Sequence, residues 1–385
     1  MKKNISPFPG IYIHIPYCDT KCGYCDFYSV TNHSGRKLFI PSLIKEIESK
    51  AGEIPEDTVF DTLYLGGGTP SLLRQDELEP LFESLHKNLH FAENTEITIE
   101  ANPGTISKES FRLYGALGIN RLSIGIQSFS DAELKFLGRI HTAGQAINTV
   151  NLAREEDIRN ISIDLIFALP GQTLKQWRQN LKTAMSLNPE HISAYNLIFE
   201  EGTPFYTSML NGNIVPKQDG EESRFFSETI QFLAEKKYVH YEISNFARDE
   251  SLFSRHNYKY WNHTNYLGFG PSAHSFWGQK RWSNIRSVAQ YVDGIQKGES
   301  PEVFSETLNT ETRIFESIFL GLRTLSGVDL NRFESLYKTS FLDLYNKIVQ
   351  DLIADGFAEI SGSHFRLTRK GLFICDEILP AFAPN

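Results

Sequence analysis

Three of the chain's four cysteines, Cys18, Cys22 and Cys25, fall within eight residues, and the fourth, Cys375, lies 350 residues further on. A disulfide framework would spread its cysteines in pairs, and structural zinc needs four closed ligands, commonly from two paired sets. A CxxxCxxC triplet reads instead as a metal site with one ligand missing. Thiolates are the soft ligands that iron–sulfur clusters prefer. Three of them occupy three corners of a [4Fe–4S] cubane and leave the fourth iron open to an outside chelate. Cys375, in Gly371-Leu-Phe-Ile-Cys-Asp-Glu-Ile-Leu379, reads as a buried helix residue.

The chain around this loop alternates between two kinds of segment. Apolar, β-branched runs at Ile11–Ile15, Thr62–Leu65, Glu96–Glu100, Arg121–Ile126, Ile161–Phe167 and His191–Leu197 read as strands, with helix-periodic stretches between them. Strict β–α alternation predicts a parallel sheet. The cysteine loop follows the first strand, Gly66-Gly67-Gly68 the second, Glu100 ends the third and Gln127 ends the fourth. In barrel-type sheets that C-terminal rim carries the chemistry. The expected fold is therefore α/β, a partial (β/α)6 barrel over residues 1–200. No GxGxxG follows the first strand, as a dinucleotide-binding sheet would require.

Residues 201–305 are rich in aromatic residues, Asn and Gly, and read as irregular structure closing the barrel mouth. Residues 306–385 change pattern again: helices at 311–325, 329–337 and 341–355, two short strands about Ser361-Gly362-Ser363, and a helix from Lys370 predict a small winged-helix-like α+β domain. Such modules often bind DNA, but residues 301–385 hold 8 Lys/Arg against 12 Asp/Glu. With a net charge of −9, no nucleic-acid partner is expected. No apolar run is long enough to span a membrane and no signal-peptide h-region precedes Cys18, so the chain is expected in the cytoplasm.

Other residues have two readings on their own. Gly66-Gly67-Gly68-Thr69 is either a tight turn or a place where a ligand approaches bare backbone. Glu100 suits hydroxyl groups, or is a solvated strand end. Gln127 and Arg139 offer polar and cationic contacts. Asp164 interrupts an apolar strand, where a charge must be paired or face a site. Arg255-His256-Asn257-Tyr258-Lys259-Tyr260-Trp261 could be a hydrogen-bonded aromatic core or, with imidazole as ligand and flat apolar rings beside it, a macrocycle site. His263 and His274 are rival ligands in the same region, and His14 reads as structural support beneath the cysteine loop.

Taken together, IHIPYC, GGGTPS, IEANPGT, RLSIGIQSF, DLIFALPGQT and the C-terminal LTxxG resemble the oxygen-independent coproporphyrinogen III oxidase family of the radical S-adenosylmethionine (SAM) superfamily, over the whole chain. That resemblance implies that SAM chelates the open iron and is cleaved to a 5′-deoxyadenosyl radical. It also implies SAM contacts from Tyr12, Tyr24, Gly67, Gly68, Thr69, Glu100, Gln127, Arg139 and Asp164. Two departures separate this sequence from the oxidases, which carry a fourth cysteine where Phe27 stands and a long arm where only 17 residues precede Cys18. Both match the HemW-type branch, regarded as heme chaperones, as does the HNxxYW motif formed by His256, Asn257, Tyr260 and Trp261. The branch implies bound heme, acceptor hemoproteins that include membrane-bound respiratory enzymes, and a cluster-dependent homodimer. The alternatives are coproporphyrinogen III oxidation and a radical-SAM modification of another substrate, RNA included. For the cysteine loop the expectation is direct: Cys22→Ser loses the cluster, and unchanged iron and sulfide content in that variant would refute the assignment.

Overall fold

Along each of six parallel strands, residues with fully enclosed apolar side chains alternate with polar ones, and this period of two decides the architecture. The structure, a computed structural model, describes residues 8–384. The six strands are β1 (Gly10–Ile15), β2 (Val59–Gly67), β3 (His90–Ala101), β4 (Arg121–Gln127), β5 (Asn160–Phe167) and β6 (His191–Asn196). They pair in sequence order, all parallel. Ile11, Ile13, Ile15, Leu63, Leu65, Ile97, Ile99, Leu122, Ile124, Ile161, Ile163 and Ile192 face a continuous hydrophobic core, where each buried side chain contributes roughly 1.5–3 kcal/mol. The helices Arg36–Ala51, Gln75–Asn88, Ala143–Glu155 and Leu174–Ser186 cover that face. Several are started by reciprocal side-chain caps, such as Thr173 with Gln176.

The alternate residues make the opposite face polar. Strand register aligns Tyr12, Tyr64, Thr98, Arg121 and Asn160 in one row, and His14, Gly66 in the next. Glu100, Ser123, Ser162 and His191 continue that second row. This is the concave interior of a partial barrel, lined by hydroxyls, carboxylates and imidazoles instead of the aliphatic layers of a closed eight-stranded barrel.

The stretch expected to be irregular is instead largely regular. It forms β7 (Val239–Glu242), β8 (Asn245–Ala247), β9 (Tyr266–Phe269), β10 (His274–Trp277), β11 (Lys280–Asn284) and β12 (Glu302–Thr307), with helices at Asp219–Glu235, Arg255–Trp261 and Val288–Gln296. These strands extend the sheet on both edges to twelve, in the order β12-β11-β10-β9-β1-β2-β3-β4-β5-β6-β8-β7. Short strands joined by tight turns carry too few residues for periodicity to register. Buried Glu46 ties the β1-side extension together. Its carboxylate accepts from Gly270 N at 2.8 Å, Asn284 Nδ2 at 2.6 Å and Tyr291 Oη at 2.5 Å.

Beyond Thr307 the chain forms a second core around Ile318, Phe333, Phe341, Phe365 and Phe382. Its helices span Thr310–Gly321, Leu330–Tyr337 and Phe341–Ala354. A three-stranded antiparallel sheet joins β13 (Val328–Asp329), β14 (Ala358–Ser361) and β15 (His364–Leu367). Cys375 lies in this core, in the helix Cys375–Ile378. Among the described residues no helix is long and apolar enough to cross a membrane.

The second core meets the sheet at Glu242, which bridges to Thr324. Glu242 is buried, and its Oε1 and the Oδ1 of Asn245 both lack a donor. Burial raises the carboxyl's pKa from 4.5 to about 7. The folded state therefore keeps this proton to higher pH than the unfolded state does, and wild-type stability falls as pH rises from 4.5 to about 7. Glu242→Gln lacks that titration. Its stability relative to wild type is expected to rise by about 3 kcal/mol across the window and to level off above it, as read by urea unfolding from pH 5 to pH 8. A pH-independent difference would show that the carboxyl is not held neutral.

Candidate functional site

The cysteine loop leaves the end of β1 and is clamped where it starts. Cys18 N donates to Val30 O at 3.0 Å, Val30 N to Pro16 O at 2.7 Å, and Cys25 N to Cys22 O at 3.1 Å. The glycine run at the end of β2 lies directly beneath. Gly68 N donates to Ile15 O at 2.7 Å, and a Cβ on Gly68 would stand 2.7 Å from Tyr17 O and 2.9 Å from Ile15 O. Gly67 has φ +110°, and its Cβ would strike the His14 ring. Only glycine fits both positions.

A closed circuit of side chains links the first two cysteines. Thr69 Oγ1 donates to Cys18 Sγ at 3.3 Å and accepts from Asn102 Nδ2 at 3.0 Å. Asn102 Oδ1 accepts from Arg139 Nη2 at 2.6 Å, and Arg139 Nη1 lies 3.6 Å from Cys22 Sγ. Arg139 Nη2 also donates to Gly125 O at 2.7 Å, while its Nε is buried without a partner. Gln127 follows a register shift at the end of β4, at φ +68°. This irregularity turns its side chain toward Gly125, near Asn102 and Arg139. Tyr24 packs edge-on to Phe205, whose N–H donates to Gly23 O. The loop is thus held from the far side by the segment after β6.

These surroundings fit an iron–sulfur cluster. Among the described residues no three His, Cys, Asp or Glu side chains close around a single metal ion. Burial raises the Cys18 pKa and takes that of Cys25 to about 11, so without metal these two stay thiols, and metal is what would hold them as thiolates. The hydroxyl and guanidinium donors on Cys18 and Cys22 are the polar contacts that ligated sulfur accepts.

Deeper in the barrel, Glu100 accepts from Tyr64 Oη at 2.8 Å and from Gly67 N at 3.1 Å. Burial, with Asp164 adding to it, raises its pKa to about 7. Asp164 accepts from Ser123 Oγ at 3.1 Å, and burial raises its pKa too. Arg121, 2% exposed, is the cation whose field reaches both carboxyls. Sequence reasoning passed over Arg121, Asn102 and Tyr64. The signal for Arg121 was a charge opening an otherwise apolar strand. His14 is buried with both ring nitrogens engaged, to Tyr12 Oη and Tyr28 O, and burial lowers its pKa to about 4.

The HNxxYW helix does not reach this rim. Helix Arg255–Trp261 is seated at the N-terminal end of the barrel. Glu96 accepts from its first N–H groups, and Asp61 pairs with Arg255 and Lys259. His256 is 1% exposed, with Nδ1 bonded to Thr62 Oγ1 and Nε2 to Tyr260 Oη, both at 2.9 Å. Burial, then Lys259, lowers its pKa to about 3. It stacks on Tyr64, with centroids 5.1 Å apart, and on Tyr12. As folded, both of its ring nitrogens are engaged within the protein. The hydrogen-bonded core is the reading the geometry favours. Asn257, Tyr260 and Trp261 lie on the same partly buried helix. His263 is likewise engaged, with Glu316 at 3.4 Å and stacked on Phe276.

Residues 12–184 match the Radical SAM superfamily, and residues 308–374 match the HemN C-terminal domain. The heme chaperone HemW of Bacillus subtilis is 36% identical over 384 residues, covering 96% of this chain and 98% of that protein. HemW of Lactococcus lactis is 33% identical, with 96% of each chain covered. Among solved structures, coproporphyrinogen III oxidase (HemN) from Escherichia coli, described as a radical SAM enzyme, superposes with TM-score 0.84 at 25% identity, covering 98% of this chain and 91% of that one.

The position of His256 generates its own test. His256→Ala leaves Thr62 and Tyr260 without their partner and opens a void under Tyr64, so it is expected to cost about 2–4 kcal/mol in denaturant unfolding. An unchanged midpoint would refute its role as a strut of the barrel.

Proposed function

The chain belongs to the heme chaperone HemW family within the radical SAM superfamily, and from that premise we propose that it binds heme and hands it to hemoproteins. The superfamily brings with it a [4Fe–4S] cluster and SAM. The observation that carries the proposal is the extent of the relationship: four relatives of this name align with 96–97% of the chain at 29–36% identity. In this reading Cys18, Cys22 and Cys25 hold the cluster, and the bare backbone of Gly67 and Gly68 with Thr69 receives the SAM amino group. Glu100 receives its ribose, with Tyr12, Tyr24, Gln127, Arg139 and Asp164 as further contacts. When bound, the reduced cluster supplies an electron to SAM. The protein's part is to keep the loop on the glycine run, to screen Cys22 with Arg139, and to hold the Glu100 carboxyl on Tyr64 and Gly67. In this reading residues 1–200 are assigned to the SAM unit, 201–305 to its flanks and 306–385 to the C-terminal module.

The acceptors in this reading are hemoproteins, membrane-bound respiratory enzymes among them, met from the cytoplasm by a protein that acts as a homodimer. The alternative, oxidation of coproporphyrinogen III, is favoured by the superposition on the oxidase. Its tetra-anionic substrate needs several cations at one mouth. Arg139 is committed to Asn102, Gly125 and Cys22, and Arg255 lies at the opposite end of the barrel on Asp61. These two cations do not converge, and at position 27 the loop presents a phenylalanine that is 69% exposed. The expected outcome is saturable one-to-one heme binding in an anaerobic Soret titration of the cluster-loaded protein, with no protoporphyrinogen formed from coproporphyrinogen III, SAM and a reductant. Appreciable turnover in the second assay would replace the chaperone reading by the oxidase.

A further inference from the structure

With His256 enclosed, the iron ligand of a heme carrier has to be found elsewhere. The chain has eleven histidines, of which three are exposed: His86, His90 and His274. His86 ends the helix before β3 and His90 begins β3, so both sit at the end of the barrel opposite the cysteine loop. His14, His191 and His256 use both ring nitrogens within the fold. His33 is held on Cys18 O and His141 on Ile126 O.

His274 differs from all of these. It opens β10 after a turn braced against the end of β1, where a Cβ on Gly270 would stand 2.6 Å from His14 O. The turn is fixed by Ser272 N to Ile285 O, Asn284 N to Ala273 O, and Asn284 Nδ2 to both Gly270 O and Glu46. The backbone under His274 is therefore rigid, while its ring is exposed and, among the described residues, neither nitrogen is hydrogen-bonded. Partial enclosure, then the charges of Arg281 and Arg286, lower its pKa. The imidazole is therefore neutral, the form that ligates a metal. Arg286, 60% exposed, reaches from the same turn region to the cysteine loop, donating to Asp26 O at 3.0 Å and lying over the Tyr28 ring. Beside Asp26 stands the exposed ring of Phe27.

We propose that His274 is the protein ligand to heme iron at the mouth of the barrel, with Arg286 pairing a propionate and Phe27 covering one face of the macrocycle. This deepens the heme-chaperone reading and rests on it. A carrier must release its cargo, and a single axial bond at an open edge, on a ligand without internal partners, breaks without unfolding anything. The same site places heme against the cysteine loop, so that loading of the loop and holding of the cargo share the segment Cys25–Tyr28.

The test is an anaerobic titration of the cluster-loaded wild type, His274→Ala and Arg286→Ala with ferric heme, read by the Soret band and electron paramagnetic resonance. Wild type is expected to show an imidazole-ligated spectrum. His274→Ala should bind about tenfold or more weakly and lose that spectrum, regaining it when free imidazole is added. Arg286→Ala should bind more weakly and keep the spectrum. Circular dichroism of His274→Ala, expected unchanged for an exposed ring, excludes misfolding. An unaltered spectrum and affinity in His274→Ala would overturn this site and leave the chaperone reading intact. Absence of saturable binding in the wild type would overturn both.

Discussion

The contact on which everything else depends is the approach of two backbones, that of Pro16–Cys18 leaving β1 and that of Gly66–Gly68 ending β2. Parallel pairing of neighbouring strands brings their C-terminal ends to one side of the sheet. Only residues without a Cβ let those ends continue past each other at hydrogen-bond distance, as Gly68 N does on Ile15 O at 2.7 Å. Thr69 then reaches Cys18, Asn102 reaches Thr69, and Arg139 closes the circuit onto Cys22. Three strands thus contribute to the position of two sulfurs, although the cysteines belong to a single loop. A loop alone would not hold thiols that far apart in a fixed triangle, because its conformational entropy opposes it.

The interior poses the opposite problem. A barrel lined by Glu100, Asp164, Ser123, Ser162 and Tyr64 holds its carboxyls half-enclosed, and Arg121 is the buried cation whose field reaches both. One positive charge cannot offset two half-enclosed negative ones, and the raised pKa values of both groups express that imbalance. The protein meets it with hydroxyl donors and by letting a proton stay. His256, under Tyr64 and Tyr12, stays neutral for the same reason. The HNxxYW helix therefore acts on the site through a column of stacked rings, from Thr62 and His256 up to Tyr64, Glu100 and the Gly67 amide.

How much of this could be read in advance follows from which signals are local. The cysteine spacing, the glycine run and the six apolar strands are written in short stretches of sequence, and the structure places each at the rim or in the sheet where its pattern put it. Arg121 and Asn102 were missed because their meaning is set by register across three strands. For His256 two readings stay open in the sequence, because residue type gives imidazole beside aromatic rings but not the depth of the helix that carries it. Only tertiary contacts, Glu96 on the helix N-terminus and Asp61 on Arg255 and Lys259, show that the motif faces inward from the wrong end for an open site. Residues 201–305 were read as irregular because strands of three to six residues repeat too seldom for a period to emerge.

That last misreading bears directly on function. Had the segment been an irregular cover, any histidine on it would have moved with it, and no one residue could be favoured as a ligand. As strands β9–β12 it continues the sheet from β1, fixed by the three donors that converge on Glu46. The extension turns the flank of the barrel into a rigid wall beside the cysteine loop, and Arg286 ties that wall to Asp26. A polar interior sealed from below by the HNxxYW helix, with a firm edge on one side, leaves the C-terminal rim as the face on which a flat, anionic, apolar-centred molecule can meet a cation, an aromatic ring and an imidazole together. In the proposed reading two duties are separate: His256 braces the barrel beneath Tyr12 and Tyr64, and the rim holds the cargo.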